Sequence, residues 1–295
     1  MAEPAGRLRH RVPVRLRGDD DAYRPLGGDA VNILALVKYS LDVSEIRVDP
    51  ATRELGTAGV PERVGNIDKN VVEAAVSLKE GAGGTVLALC LGPAAARDGF
   101  KEVLAMGVDE VTLIEDPFGG QADAAVVARI LEAAVRTRGP FDLILCGFAS
   151  DDGYTHQVGP RLAERLGLPL VSYARKIEVV DGTLRADRDL EDRLQSVTVT
   201  LPALVSIAEE AFSPRRTTLM DALKARQKPI NVWQVEDHLG LSIADLEAAR
   251  SWTLDSLVGL AVDRKRQRLM GRDPGELADQ LIDVLLAEGI LRGGA

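Results

Sequence analysis

The polar loop at residues 146–160 carries the side chains of this sequence that are best suited to holding a ligand. It contains two adjacent carboxylates followed by a hydroxyl, an imidazole and an amide: Asp151, Asp152, Thr155, His156 and Gln157. Such groups could act as acids and bases, or they could surround the phosphate and ribose of a nucleotide. Because the aspartates have no partner nucleophile nearby in the sequence, we favour turn formation and helix capping over catalysis for them.

Familiar catalytic and nucleotide-binding motifs are absent from the sequence. It has no Walker A loop, no GxGxxG after a strand, and no HExxH, CxxC or GxSxG segment. The histidines, His10, His156 and His238, are too scattered for a metal site. We therefore expect a binding protein without a complete active site of its own and without a metal.

The bulk composition excludes several classes of protein. The net charge of −9 argues against nucleic-acid binding, which requires a positive surface. No apolar run is long enough to cross a membrane, so we expect no membrane insertion. Cys90 and Cys146 lie in apolar runs, which fits a reducing, cytoplasmic setting. Residues 1–29 lack periodicity and are expected to form a flexible tail.

The segments around the loop alternate between strand-like and helix-like patterns. Buried strands are predicted at 31–38, 85–91, 110–114 and 141–146, and helices at 68–81, 94–106 and 121–138. This alternation predicts a Rossmann-like α/β fold with a mostly parallel sheet. A hairpin around Asp181-Gly182 and an alternating run at 195–201 add antiparallel strands late in the chain. The polar loop therefore follows the carboxyl end of a parallel strand, where such sheets bind ligands.

The charge of the loop limits how a phosphate could bind there. Two carboxylates beside a phosphate would repel it by about a kcal/mol or more. Asp151 and Asp152 should therefore turn toward ribose hydroxyls, an adenine amino group or backbone N–H groups. The phosphate is left to the N–H groups of 153–158 and to the side chains of Thr155, His156 and Gln157. An ordinary loop with Thr155 as the helix N-cap and Asp152 in a turn remains an equal alternative. For His156 we favour an exposed position in the first helical turn over a role in binding.

Several segments occur in the same order as motifs of a known family. They are Leu36-Val37-Lys38, 72–80 (VEAAVSLKE), Gly92-Pro93 with 104–109 (LAMGVD), the loop 147–159, 186–206, and 223–229 (LKARQKP). Each motif alone is weak, but their collinear order is specific. In these segments the chain resembles the β subunits of electron transfer flavoproteins, over roughly 31–239 and the last helix.

The resemblance implies a heterodimer whose α subunit holds most of an FAD, while this chain binds AMP on an adenine nucleotide α-hydrolase-like domain. Electrons would come from flavin dehydrogenases such as acyl-CoA dehydrogenases and leave to a quinone oxidoreductase or another acceptor. Residues 30–235 would form the nucleotide-binding domain, and 236–295 an arm that packs on the α subunit. The implied cofactor-binding residues are Leu36, Gly65, Asn66, Ile67, Asp68, Leu91, Asp152, Gly153, Tyr154, Thr155, His156, Gln157, Val158, Gly159 and Pro160.

Two alternatives remain. Gly153, Thr155 and 157–160 are closer to the branch of the family that holds a second FAD in place of AMP and bifurcates electrons, although that branch usually has an acidic residue where this chain has Tyr154. A free-standing adenine-nucleotide-binding protein is the other alternative. It is disfavoured because 38–42 lacks the glycines of an ATP pyrophosphatase loop and because the chain continues beyond Pro229.

Overall fold

The fold is an α/β sandwich with one large sheet. A computed structural model describes residues 30–260 and 265–291; the predicted tail at 1–29 lies outside the described residues. The strands are β1 (Val31–Leu36), β2 (Tyr39–Leu41), β3 (Arg47–Val48), β4 (Leu55–Gly56), β5 (Glu62–Val64), β6 (Gly84–Gly92), β7 (Glu110–Glu115), β8 (Leu143–Gly147), β9 (Leu170–Val180), β10 (Thr183–Asp189), β11 (Leu194–Thr200), β12 (Ala203–Ile207) and β13 (Ile230–Trp233). The helices are α1 (Asn66–Ala82), α2 (Ala96–Ala105), α3 (Ala124–Arg138), α4 (Val158–Leu166), α5 (Leu219–Ala225), α6 (Val235–Leu239), α7 (Ile243–Ala248) and α8 (Pro274–Ala287).

The large sheet has the order β11-β10-β9-β12-β8-β1-β6-β7-β13 among the described residues. Its centre is parallel, with β1 between β6 and β8 and with Val31 opposite Gly84. The antiparallel pairs are β9 with β10 and β10 with β11. This arrangement confirms the predicted Rossmann-like sheet with late antiparallel strands.

Helices cover both faces of the parallel strands, which is why those strands are continuously apolar. On one face Ile33 and Ala35 pack in a core with residues of α1 and α2. On the other face Leu34 packs in a core with residues of α3 and α4. The first helix after β1 and the helix after β8 therefore lie on opposite faces of the sheet.

One strand of the large sheet was not expected from the sequence. Segment β13 pairs in parallel with β7, with Ile230 opposite Val111, and forms an edge of the sheet. Its four residues, INVW, are too short to give a clear periodicity. Among the described residues, no helix has the length and apolar character needed to span a membrane.

The chain divides into two compact units. The larger contains the described residues up to Arg47 together with Gly56–Leu257, and the smaller contains Val48–Leu55 together with the described residues from Val258 onward. In the smaller unit the Gly259 N–H donates to the Arg53 carbonyl at 2.8 Å. Helix α8 begins as the sequence predicts, since the Asp273 carboxylate accepts the Glu276 N–H at 3.1 Å and Pro274 occupies the first turn. The division into a domain at 30–235 and an arm at 236–295 stays a prediction.

Candidate functional site

The carboxyl ends of β1 and β8 lie side by side at the place, called the β1–β8 crevice below, where the chain reverses its direction of growth across the sheet. From β1 the chain proceeds to β6 and β7 on one side, and it then returns to place β8 on the other side of β1. Because α1 and α4 lie on opposite faces, their N-termini flank this point. Open α/β sheets bind ligands at such a switch point.

The sequence-predicted residues gather at this edge of the sheet. Leu36 is the last residue of β1, and Leu91 is the second-to-last residue of β6. The segment Gly65–Asp68 forms the cap and first turn of α1. Asp152–Pro160 runs from the loop after β8 into α4. The structure thus places every predicted residue at the carboxyl ends of neighbouring strands or at the helix starts that follow them.

The start of α1 is capped by a side chain from the other loop. The Asn66 N–H donates to Asp151 Oδ2 at 2.8 Å. Gly65 is the N-cap and offers no side chain, and a Cβ there would lie 2.4 Å from Asp151 Oδ2. A carboxylate at a helix N-terminus satisfies a free donor and complements the helix dipole. Asp151 is therefore a backbone cap, one of the roles expected for it.

Lys38 neutralises the second aspartate of the loop. Its ammonium lies 2.7 Å from Asp152 Oδ2. Partial burial would raise the pKa of Asp152, but the charge and hydrogen bond of Lys38 lower it further, so the net pKa lies below its usual range. Asp152 also accepts the N–H of Gly153 at 2.6 Å. The repulsion that a phosphate would feel from Asp152 is thereby reduced.

A third carboxylate, Asp68, is buried in the same place and is 5% exposed. Its Oδ1 accepts the Lys38 N–H at 2.9 Å. Burial, with smaller contributions from the charges of Asp151 and Asp152, raises the pKa of Asp68 to about 7. Since one carboxylate is largely protonated below neutral pH, one is paired and one caps a helix, the crevice is far less negative than its sequence suggests.

The N-terminus of α4 has free backbone donors. Its N-cap is Gln157, which makes no side-chain cap, so the alternative with Thr155 as N-cap is wrong. No hydrogen bond within the described residues engages the N–H of Val158 or Gly159. A Cβ at Gly159 would lie 2.8 Å from Cys146 Sγ, so only glycine lets this turn pack so closely on β8. These donors, with the dipole of a full helix behind them, suit a phosphate.

An aromatic cluster adjoins the loop. The Phe148 ring centroid lies 5.6 Å from Tyr154, 5.3 Å from His156 and 6.0 Å from Tyr173. His156 Nδ1 and the Tyr173 hydroxyl are hydrogen-bonded at 3.0 Å. His156 precedes α4 and is half-buried, so the expectation of an exposed first-turn residue is wrong. Tyr154 is 53% exposed.

Two of these aromatic residues, Phe148 and Tyr173, were not assigned to the site from the sequence. Phe148 directly follows β8, and this position after an apolar run was a usable signal for a residue at the edge of the sheet. Tyr173 follows His156 by 17 residues along the chain, and it reaches the cluster because β9 bulges beside β12, where the pairing shifts between Val205 and Ile207. No sequence pattern indicated that bulge.

Metal-ligand clusters and reactive thiols are lacking among the described residues at this edge. Those residues contain no cluster of three or more His, Cys, Asp or Glu side chains that could hold a metal. Burial raises the pKa of the Cys146 thiol to about 12 and raises that of Cys90 as well, so neither is a thiolate at neutral pH.

The chain is similar to proteins of one family over most of its length. Residues 54–238 match the electron transfer flavoprotein domain. The chain is 36% identical over 208 residues to the electron transfer flavoprotein subunit beta of Thermoanaerobacterium thermosaccharolyticum, covering 70% of this chain and 80% of that protein. It is 33% identical over 229 residues to the Clostridium acetobutylicum subunit beta, covering 76% and 88%. It is 35% identical over 213 residues to caffeyl-CoA reductase-Etf complex subunit CarD of Acetobacterium woodii, covering 72% and 81%.

Proposed function

Because the chain belongs to the electron transfer flavoprotein β-subunit family, we propose that it binds AMP at the β1–β8 crevice and joins an α subunit in enclosing an FAD. The observation that carries the proposal is the pair of helix N-termini at the switch point: α4 has unengaged N–H groups, α1 is capped by Asp151, and the neighbouring Asp152 is paired with Lys38. Electrons would pass from flavin dehydrogenases, such as acyl-CoA dehydrogenases, to a quinone oxidoreductase or another acceptor.

The charge and the backbone donors at this edge of the sheet support adenosine monophosphate as the ligand. The N–H groups of Val158 and Gly159 would hold the phosphate, with the side chains of Thr155 and Gln157 beside them. Lys38 supplies a cation at the same edge. Both carboxylate oxygens of Asp152 lie within 2.8 Å of the Lys38 ammonium, and Oδ2, which accepts no backbone N–H, keeps a lone pair for a ribose hydroxyl to donate to.

The FAD, when bound between the subunits, would supply the electron-carrying chemistry. The role of this chain is then to cover the cofactor, to exclude water and to present a docking surface. It needs no acid, base or nucleophile for that role. We accordingly assign it as an electron-transfer subunit rather than an enzyme with its own active site.

The C-terminal helix offers a surface for the partner subunit. On α8 and just after it, Leu281, Ile282, Leu286 and Ile290 are 40–68% exposed. An apolar face of this kind on a well-capped helix is unusual for a monomer surface and is typical of an interface. We propose that the arm at 236–295 packs on the α subunit through this face.

The second candidate keeps the same crevice but fills it with a second FAD in place of AMP. Gly153 gives the loop a position without a side chain, and a Cβ there would make only ordinary contacts, with Ser150 Oγ at 3.4 Å. The pattern Thr155 with 157–160 favours this branch, as the sequence indicates. A free-standing adenine-nucleotide-binding protein is the third possibility.

Release of the bound nucleotides distinguishes these candidates. The full chain is co-expressed with the α subunit, the complex is purified and denatured, and the released nucleotides are identified by mass. One FAD and one AMP per heterodimer support the proposal, and two FAD support the second candidate. A stable monomer that carries adenine nucleotide and no flavin would contradict both.

A charge variant tests the location of the site. Lys38→Gln removes the cation beside Asp152, and we expect AMP affinity to fall about tenfold because one unit charge near a phosphate contributes roughly 1–2 kcal/mol at a protein surface. Lys101→Gln, which removes an exposed lysine paired with Asp98, is the matched control and should leave AMP binding unchanged. Equal effects of both substitutions would place the nucleotide elsewhere.

A further inference from the structure

The carboxyl group of Asp68 lies at the β1–β8 crevice with one oxygen unpartnered. The residue is 5% exposed, and its Oδ1 accepts the Lys38 N–H at 2.9 Å. No hydrogen bond within the described residues engages its Oδ2. A Cβ at Gly65 would lie 3.0 Å from this oxygen and 2.4 Å from Asp151 Oδ2, so both oxygens border the turn that begins α1. A buried polar atom without a partner is costly, and a ligand that pairs with it removes the cost.

The surroundings of Asp68 compensate its negative charge poorly. The charged and titratable groups that face it come from β6, β8 and the segments after β1 and β8: Lys38, Cys90, Cys146, Asp151 and Asp152. Burial raises the pKa of both thiols, so they stay neutral. The ammonium of Lys38 is already paired with Asp152 at 2.7 Å. On α1 itself, the neighbouring Lys69 is paired with Glu102, also at 2.7 Å.

Protonation changes what Asp68 can offer a ligand. An ionised carboxylate only accepts hydrogen bonds, whereas a protonated one donates through its O–H. Because Oδ1 accepts the Lys38 N–H, the proton is carried on Oδ2, the oxygen that lacks a partner. A phosphate at the N-terminus of α4 would add negative charge to the crevice and disfavour the ionised form of Asp68 further, as Asp151 and Asp152 already do. Neutral Asp68 and a bound phosphate therefore favour each other.

We propose that the nucleotide binds together with one proton, which Asp68 takes up from the solvent and returns to it when the nucleotide leaves. This inference rests on the proposed function, because it concerns the same crevice and the same ligand. Burial raises the pKa of Asp68 to about 7 before any ligand binds. Since the neutral form predominates below this pH, nucleotide affinity is highest there. It falls as the pH rises through about 7 toward the higher pKa that Asp68 has in the complex.

The test measures AMP binding by isothermal titration calorimetry from about pH 6.5 to about pH 8.5. The protein is the heterodimer of the full chain with its α subunit, after bound AMP has been dialysed away. We expect the affinity to fall about fivefold between about pH 7 and about pH 8, since one proton gives at most about tenfold for each pH unit. Titrations near pH 7.5 in two buffers of different ionisation enthalpy count the protons, and about half a proton or more should be taken up with each AMP.

A second probe removes the titration of the ligand itself. The phosphate of AMP has a pKa of about 6, so it contributes to the proton count at the lower end of this range. Adenosine 5′-sulfate has no group that titrates there. Its binding should also take up protons, and these can come to rest only on the protein.

The substitution Asp68→Asn keeps an oxygen for the Lys38 N–H and replaces the O–H donor by an N–H donor that does not titrate. Its AMP affinity should change by less than about twofold across the range and should exceed that of the wild type at least about fivefold near pH 8.5. The matched control is Asp181→Asn, at an exposed position in the turn between β9 and β10, where asparagine suits the left-handed backbone with φ of 49°. It should reproduce the wild-type profile.

Three results would overturn this inference. They are a wild-type AMP affinity that stays constant from about pH 7 to about pH 8.5, a pH profile of Asp68→Asn that equals that of the wild type, and binding of adenosine 5′-sulfate to the wild type without proton uptake. The last measurement needs no variant, so it decides the question even where Asp68→Asn fails to assemble. A heterodimer that binds no AMP at any pH would contradict the proposed function itself, and this inference with it.

Discussion

The Asp68 carboxyl group should make the stability of this protein fall as the pH rises toward neutrality. It is buried at the start of α1, and its pKa in the folded state is raised to about 7 from a reference value of 3.8. Between these two values the folded chain holds a proton that the unfolded chain has released. The folded state is therefore favoured by this group at low pH, and the advantage is lost as the pH rises through about 7.

The size of the effect follows from the shift. A change from 3.8 to about 7 is about 3 pKa units, and at about 1.36 kcal/mol for each unit the full effect is roughly 4 kcal/mol. Over the accessible window from about pH 5 to about pH 8, the linkage relation gives a loss of about 3 kcal/mol from this group. Paired acids such as Asp152, whose pKa is lowered, act in the opposite direction but at lower pH.

The substitution Asp68→Asn removes the titration and keeps an oxygen that can accept the Lys38 N–H. We expect the variant to match the wild type near pH 5, within about 1 kcal/mol, and to exceed its stability near pH 8 by about 2–3 kcal/mol. The free energy of unfolding is measured by urea denaturation of the full chain across this range. The control is Asp279→Asn, at an exposed position on α8, which should leave the pH profile unchanged.

The result that would refute this reasoning is a constant difference in unfolding free energy between Asp68→Asn and the wild type from about pH 5 to about pH 8. That outcome would mean that the folded and unfolded chains bind the same number of protons at this position. A direct check is the carbon NMR titration of the Asp68 carboxyl group, whose midpoint should lie near 7.

Three further substitutions test the packing that positions the site. Arg215→Met leaves the buried Glu73 carboxylate without its guanidinium partner, now at 2.9 Å, and should lower the unfolding free energy by about 3 kcal/mol in urea denaturation, with partial recovery when Glu73→Gln is added. Asp123→Ala removes the acceptor for the first N–H groups of α3, at 2.9–3.0 Å, and should lower the thermal midpoint by an amount equivalent to about 2 kcal/mol; no change would mean that water replaces the cap. Gly65→Ala places a Cβ 2.4 Å from the Asp151 carboxylate and should displace this cap, so the Asn66 amide should exchange its hydrogen faster, whereas unchanged protection would contradict the assigned geometry.

The sheet was predictable because its strands and helices repeat a simple physical pattern. Strands buried on both faces must be apolar at successive positions, and the runs around Leu34 and Ile144 show this directly. The helices that cover them show the spacing of one apolar face, as α3 does. Only short or edge elements escaped the prediction. Segment β13 is an example, since its partial burial leaves no clear period in four residues.

The loop residues were predictable as a set, whereas their roles depended on distant partners. Asp151 and Asp152 are adjacent in sequence and of the same type, yet one caps α1 through Asn66 and the other pairs with Lys38. These partners are 85 and 114 residues away along the chain. Residue propensities describe only local conformational preferences, so they cannot identify such partners. The pKa of Asp68 has the same origin, since burial by the completed fold is its largest cause.

The bulge at Tyr173 shows why tertiary irregularities determine side-chain positions that periodicity cannot predict. Tyr173 lies in a segment that reads as an ordinary strand, and its alternation would place it on a fixed face. The bulge beside Ser206 adds one residue to β9 and turns the Tyr173 ring toward Phe148 and His156.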